Sequence, residues 1–247
     1  MLSLFFVDQL SSSDNQTLDG DEGYHAVKVL RLAVGEKIKV SDGKGNWAAG
    51  AVVEVGKKTL QIKVTERGQY KVIKPELIVV QAVTKSDRNK EMLELVTAAG
   101  VDQIIPWQAD RSISKWQADS EKKWQSTIKE ACKQSRRVKI PQLQMAMSTK
   151  QIIEHLNSDK FVLIFDAESD LKFADITMPS DLSAIYLIIG PEGGISDEEL
   201  VAFKRLGASV VKLGEPVLRS AHAGFAALAA VQSRLGRWSR GSSKQLH

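Results

Sequence analysis

YLIIGPEGGISDEEL, residues 186–200, and VVKLGEPVLRSAHAG, residues 210–224, carry the same plan twice. Each begins as an apolar run of strand length, breaks at glycine into a loop, and re-enters a helix. In the first, residues 185–189 form a continuous apolar run bounded by Gly190-Pro191, the pattern of a strand buried on both faces. Gly193-Gly194 permits a sharp turn with little side chain in the way. Ser196 with Glu199 makes a capping box. Asp197, Glu198 and Glu199 place three carboxylates in a helical first turn, where the dipole favours them. Lys204, Arg205 and Gly207 supply a matching helix end. Strand, glycine loop and helix start, in that order, are how α/β proteins build ligand sites at the carboxyl ends of their strands. The acidic first turn argues against a phosphate here, and the loop has neither the Lys-Ser/Thr pair of a P-loop nor G-x-G-x-x-G. A neutral or cationic ligand held by backbone groups suits it better.

Outward from this pair, residues 75–235 alternate strand and helix patterns. Strands are expected at 77–83, 104–107 and 161–165, and helices at 90–99, with Leu93, Val96 and Ala99 inward, and at 120–135. Trp124, Ile128, Ala131 and Cys132 form one face of the latter. Ser148 with Gln151 is a second capping box, opening a helix that ends near Leu156. Such alternation predicts an α/β fold with a mostly parallel sheet covered on both faces. The last helix, 221–235, is rich in Ala and Gly, which fits either tight packing on its own sheet or a subunit interface.

Residues 1–72 read differently. A strand at 5–7 and a polar loop at 11–23 precede a short amphipathic helix carrying Ala26, Val29 and Leu30. Strands at 37–41, 47–55 and 59–64 follow, with turns at Asp42-Gly43 and 56–58. This is the pattern of a small β-barrel, with a domain boundary near residues 69–75.

The 247 residues, 43% hydrophobic and 26% charged, are those of an ordinary globular protein. One cysteine, Cys132, rules out an intramolecular disulfide and any cysteine-cluster metal site, so no metal is expected. The opening LSLFFV lacks the basic start and length of an export signal, and no apolar run reaches membrane-spanning length, so a cytoplasmic protein is expected. Residues 111–140 hold nine basic and three acidic side chains, an excess larger than the +4 of the whole chain. That stretch is either a nucleic-acid surface or a solvated helix face.

GPEGG followed by I-S-x-x-E, then LG-x-x-V-L-R-S, resembles the SPOUT class of RNA methyltransferases, and more narrowly the ribosomal RNA small subunit methyltransferase E family. The resemblance runs along nearly the whole chain. HAVKVLRL (25–32), Gly35-Glu36 and DGKG (42–45) look like the family's N-terminal PUA-like RNA-binding barrel. KSDR (85–88), ELVTAAGVD (94–102) and Ile105-Pro106 resemble the opening of its methyltransferase domain, and Arg111-Ser112 and EACKQSRRVKIP (130–141) its basic stretch.

The resemblance implies a PUA-like barrel over 1–72 and a knotted SPOUT domain over 73–247. Knots are otherwise rare, so only the resemblance points to one. It also implies a homodimer that methylates N3 of a uridine in 16S ribosomal RNA of the small subunit, using S-adenosyl-L-methionine. The cofactor, which carries a sulfonium and no phosphate, would lie among the loops after Phe165, Ile189 and Leu213. The residues implied are Asp166 and Ile189, then Gly190, Pro191, Glu192, Gly193 and Gly194, and from the last loop Leu213, Gly214, Val217, Leu218 and Ser220. Arg219 is the expected catalytic cation, or orients the substrate; a structural salt bridge is the other reading. Arg31, Lys85, Arg88, Arg111, Gln134, Arg136 and Arg137 are the expected RNA contacts. Many members read L-G-x-R-I-L-R-T-E-T-A in the last loop, where this chain has Pro216, Ala221 and His222 in place of Arg, an acid and Thr. His222 is a candidate base, because imidazole titrates near neutrality, or a packing residue. The departures keep open a non-catalytic RNA-binding assembly factor, and a nucleotide-binding enzyme of unrelated doubly wound fold is the remaining alternative.

Overall fold

The computed structural model describes residues 2–156 and 160–238. Two compact units are present, one of Met1–Val72 with Lys129–Ile140, the other of Ile73–Ile128 with Pro141–His247. A division along the chain at residue 72 leaves Lys129–Ile140 outside the first of these.

In the first unit β1 (Ser3–Phe6), β2 (Asn15–Leu18), β3 (Lys37–Ser41), β4 (Asn46–Val55) and β5 (Leu60–Gln69) form one sheet, in the order β1-β3-β4-β5-β2. The β3–β4 turn is fixed by Asp42, whose Oδ1 accepts from the amides of Lys44 (2.7 Å) and Asn46 (3.1 Å). Bulges interrupt the β4–β5 ladder between Ala49 and Gly50 and between Val52 and Glu54. A Cβ at Gly50 would lie 2.0 Å from the Lys63 carbonyl oxygen, so the first of them admits only glycine. Phe5, Leu18, Ile38, Val40, Val52, Leu60 and Ile62 make the core.

Two expectations fail here. Residues 11–23 are not all loop, because they contain β2 and all but the last residue of the helical turn α1 (Gly20–Tyr24). β2 alternates exposed and buried residues, and its buried Gln16 is satisfied by the amide of Ser11 (2.6 Å) and the carbonyl of Thr17 (2.9 Å). A polar residue pointing inward hid the strand. The short amphipathic helix is instead a single π-helical turn, His25–Val29, with the Leu30 amide bonded to the His25 carbonyl at 3.0 Å. Only Ala26 of its three marked residues is buried; Val29 and Leu30 are exposed.

The second unit contains β6 (Glu76–Ala82), α2 (Ser86–Ala98), β7 (Gln103–Gln108), the start of α3 (Ser120–Ser135), β8 (Gln142–Leu143), β9 (Met147–Ser148), α4 (Thr149–His155), β10 (Phe161–Phe165), β11 (Ala184–Ile189), α5 (Asp197–Arg205), β12 (Ser209–Val211) and α6 (Ser220–Arg234). The sheet order is β12-β10-β11-β6-β7-β8, with β9 also on β7, and every pair is parallel. Apolar side chains fill both faces of the central strands. Leu77, Val79 and Val80 of β6 and Leu187 and Ile188 of β11 are wholly buried, each worth about 1.5–3 kcal/mol against exposure. Both capping boxes form, Ser148 with Gln151 and Ser196 with Glu199. β8 and β9 are too short to leave a periodic signal.

The small residues of α6 serve its own sheet and α2. Ala221, Gly224 and Ala227 are buried, and a Cβ at Gly224 would meet Gln81 Oε1 at 3.1 Å and Val96 at 3.3 Å. No helix among the described residues is long and apolar enough to cross a membrane.

Candidate functional site

Parallel register brings three loops to one edge. Phe165 stands opposite both Ile189 and Val211, so β10, β11 and β12 end level and release their chains side by side. The loop after β10 is stitched to the one after β12. Asp166 N donates to Val211 O (2.9 Å), Lys212 N to Leu171 O (2.8 Å) and Phe173 N to Lys212 O (2.8 Å). Between them lies a cavity of about 60 Å³ lined by Phe165, Asp166, Leu213, Gly214, Pro216 and Leu218, among others. Asp166 is half-buried, and its Oδ1 accepts from the amide of Glu168 at 2.9 Å.

The loop after β11 does not line that cavity, and it is braced from several sides. Gly194 N donates to Pro191 O at 3.0 Å in a turn that needs φ +74° at Gly194. Gly190 lies against Ile195, where a Cβ would come within 2.7 Å of its side chain. The Ser220 hydroxyl, buried at the start of α6, donates to the Gly190 carbonyl at 2.6 Å and accepts from Gln81 Nε2 at 3.0 Å. Arg88 pairs with Glu192 at 3.2 Å. Arg111 reaches the carbonyls of Gly193 and Ile195 at 3.5 Å each.

The helix that follows is anchored as firmly. Glu199 is 2% exposed, and its carboxylate accepts from the amides of Ser196 (3.0 Å) and Asp110 (2.9 Å) and from the Thr149 hydroxyl (2.6 Å). Thr149 in turn accepts from the indole of Trp107 at 3.0 Å. What looks in sequence like a local cap is therefore a buried junction of α5, α4 and the loop after β7.

The loop after β12 is the opposite case. Val217 is 76% exposed and Leu218 40%. Arg219 is exposed, takes the N-cap position of α6 with extended backbone, and belongs to no ion pair among the described residues. The salt-bridge reading of Arg219 finds no partner there. Its carbonyl accepts from the amides of His222 (2.8 Å) and Ala223 (2.9 Å), while the His222 ring lies 3.0 Å from Glu91 of α2.

The expected RNA contacts fall into two groups. Lys85, Arg88 and Arg111 lie in the second unit, where Arg88 and Arg111 converge on the glycine loop and Lys85 takes the N-cap position of α2 without a side-chain capping bond. Arg31, Gln134, Arg136 and Arg137 lie in the first. Arg31, Gln134 and Arg136 are exposed and Arg137 is half-buried. Arg31 and Arg136 hold positive φ, 53° and 58°.

Not all of the basic stretch is free for a polyanion. Lys133 binds Glu22 and Glu130 at 2.8 Å each, and Lys129 approaches Glu22 at 3.6 Å. Burial opposes the charge on Lys133, but its bonds to Glu130 and Glu22 outweigh it and hold the pKa above the ordinary lysine value. Cys132 is fully buried, and burial pushes its thiol up to about 12, so it is no nucleophile at neutral pH. No cluster of three or more His, Cys, Asp or Glu suited to a metal occurs among the described residues.

Sequence reading passed over Gln81 and the long-range role of Glu199. The signal for Gln81 was a lone amide inside an apolar strand, LIVVQAV; a buried polar group needs partners, and these lie far along the chain.

Comparison with known proteins agrees with this geometry. Residues 72–232 match the RNA methyltransferase domain family, and residues 18–65 the RNA methyltransferase PUA domain family. Ribosomal RNA small subunit methyltransferase E of Mycobacterium bovis is 34% identical, covering 97% of this chain and 95% of its own length. The Bacillus subtilis protein of the same name is 25% identical, over 90% of this chain and 91% of its own. A crystal structure of ribosomal RNA small subunit methyltransferase E from Neisseria gonorrhoeae, bound to S-adenosyl methionine, is 27% identical and superposes with a TM-score of 0.84, covering 95% of this chain and 98% of that one. This chain belongs to the ribosomal RNA small subunit methyltransferase E family.

Proposed function

We propose that this protein is an S-adenosyl-L-methionine-dependent methyltransferase that modifies N3 of a uridine in 16S ribosomal RNA, acting as a cytoplasmic homodimer on the small subunit with the knotted threading its family resemblance implies. One observation carries the reading. Three loops emerge level from adjacent parallel strands, and the only arginine of the last, Arg219, stands exposed and without an ion-pair partner among the described residues, beside the residue that holds Gly190.

The residues fit the cofactor's chemistry. Phe165, Leu213, Pro216 and Leu218 offer apolar surface to a base, and Asp166 offers a carboxylate to hydroxyl or cationic groups. A Cβ at Gly214 would meet only Pro216, at 3.9 Å, and one at Gly194 only Arg111, at 3.9 Å, so backbone is open to close approach at both. The cavity of about 60 Å³ is well below the ~300 Å³ or more of ligand pockets, so the exposed wall at residues 213–219 has to yield for a nucleoside to enter.

Bound S-adenosyl-L-methionine supplies an electrophilic methyl group on a sulfonium. The protein's part is to place N3 in line and to stabilise the anion left when the imide proton departs. Arg219, as a cation brought near the carbonyl oxygens, favours that anion. Backbone groups at residues 190–194 and 213–218 hold the adenine and ribose. Arg31, Lys85, Arg88, Arg111, Arg136 and Arg137 meet phosphate, with Gln134 as a polar partner.

Incubation with labelled cofactor and either small subunits or naked rRNA, followed by mass spectrometric mapping, tests the assignment. Methyl on uridine N3 is expected; methyl on another base or on tRNA overturns it, and no cofactor binding favours the assembly-factor reading. Arg219→Ala should lower turnover about 100-fold. Unchanged turnover with intact RNA would remove it from the mechanism. Neutralising Arg136 and Arg137 should flatten the salt dependence of RNA binding.

A further inference from the structure

Gln81 is wholly buried at the end of the central strand β6, directly opposite Ile189, the last residue before the glycine loop. Its Nε2 donates to Ser220 Oγ at 3.0 Å, and Ser220 Oγ donates to the Gly190 carbonyl at 2.6 Å. Gln81 Oε1 is buried with no hydrogen-bond partner and abuts Gly224, where a Cβ would sit 3.1 Å away.

The direction of this chain of bonds is fixed by counting protons. Ser220 has one hydroxyl hydrogen. With that hydrogen on Gly190 O, Ser220 Oγ only accepts, so Gln81 must turn its NH₂ toward it. Reversing the amide would set two acceptors against each other. The orphaned Oε1 is the consequence of that orientation, and a buried acceptor is left unmet only where something else holds the side chain.

What is held is one peptide plane. Pro191 has no N–H, so the Gly190 carbonyl is the sole polar handle of the Gly190–Pro191 peptide. Pinning that carbonyl inward sets the direction in which residues 191–194 leave the sheet. The same hydroxyl belongs to the residue after Arg219. A single relay thus ties the central strand to the glycine loop and to the start of α6.

We infer that Gln81 is a positioning residue for methyl transfer: acting through Ser220, it fixes the Gly190 peptide of the cofactor loop and the adjoining Arg219. The inference rests on the proposed reading of residues 190–194 as a wall of the S-adenosyl-L-methionine pocket. Gln81 itself is wholly buried, so any effect it has on a bound ligand passes through its neighbours.

The test is a double-mutant cycle of Gln81→Leu and Ser220→Ala in the full-length protein, with Ser220→Thr as the hydroxyl-retaining control. Each single variant should weaken S-adenosyl-L-methionine binding about tenfold by calorimetry and raise its KM alike, with the RNA KM little changed. The double variant should be no worse than either single one, because both cut one chain. Ser220→Thr, which keeps the hydroxyl, should recover most of the cofactor binding that Ser220→Ala loses. Independent, additive losses, equal losses of cofactor and RNA binding, or undiminished cofactor binding in folded variants would overturn the relay. Should Gln81→Leu not fold, Ser220→Ala against Ser220→Thr decides between the same outcomes. Absence of cofactor binding by the parent protein would instead overturn the pocket assignment beneath it.

Discussion

The loop at residues 190–194 and the loop at residues 213–219 flank the same strand and begin at the same level, yet they are held in opposite ways. The first is gripped by Ser220, Arg88, Arg111 and, through α5, by the buried carboxylate of Glu199. The second leaves Val217 and Leu218 exposed and gives Arg219 no ionic partner among the described residues. The difference teaches where rigidity is invested. One loop is preorganised, and residues 217–218 of the other, ahead of the expected catalytic arginine, are left able to adapt.

The largest test of this contrast is Glu199→Ala. Two amides and a hydroxyl lose a charged acceptor in a buried site, so stability should fall by about 3 kcal/mol or more, read from urea unfolding. A small loss would mean that the first wall owes little to its anchor. Next, Gly194→Ala forces a side chain onto φ +74° and should cost about 1–2 kcal/mol in the same measurement. Arg88→Ala breaks a half-exposed ion pair and should change stability by no more than about 1 kcal/mol. A larger effect would make Arg88 part of the brace rather than an RNA contact. Val217→Ala should be the mildest, within about 0.5 kcal/mol. A clear drop in thermal midpoint there would show that the second wall is covered in solution, which would erase the contrast.

How much of this was legible follows from the range of the interactions. The buried strands, the two capping boxes and the helix of residues 120–135 are written in neighbouring residues, and they lie where local pattern put them. β2 was missed because its inward Gln16 broke the apolar alternation that betrays a strand, and the turn at residues 25–29 because a π-helical step rotates side chains off the expected face. In the candidate site, the glycine loops and their order were legible, and the convergence of Arg88 and Arg111 on one of them was not. Gln81 and Ser220 are 139 positions apart, a separation at which only the folded sheet brings an amide to a hydroxyl. The basic stretch divided for the same reason: Lys133 finds Glu22 only in the folded first unit.

The make-up of that first unit also bears on the order in which the molecule is made. Its sheet is complete in sequence at Gln69, but the segment whose Ile140 amide bonds to the Gly43 carbonyl, and whose Lys133 neutralises Glu22, is synthesised only after β6, α2 and β7 of the other unit. During translation the early sheet therefore waits, its Glu22 carboxylate still without these lysines, until about two fifths of the remaining chain has emerged. Folding from the N-terminus thus cannot finish one unit before the next is begun.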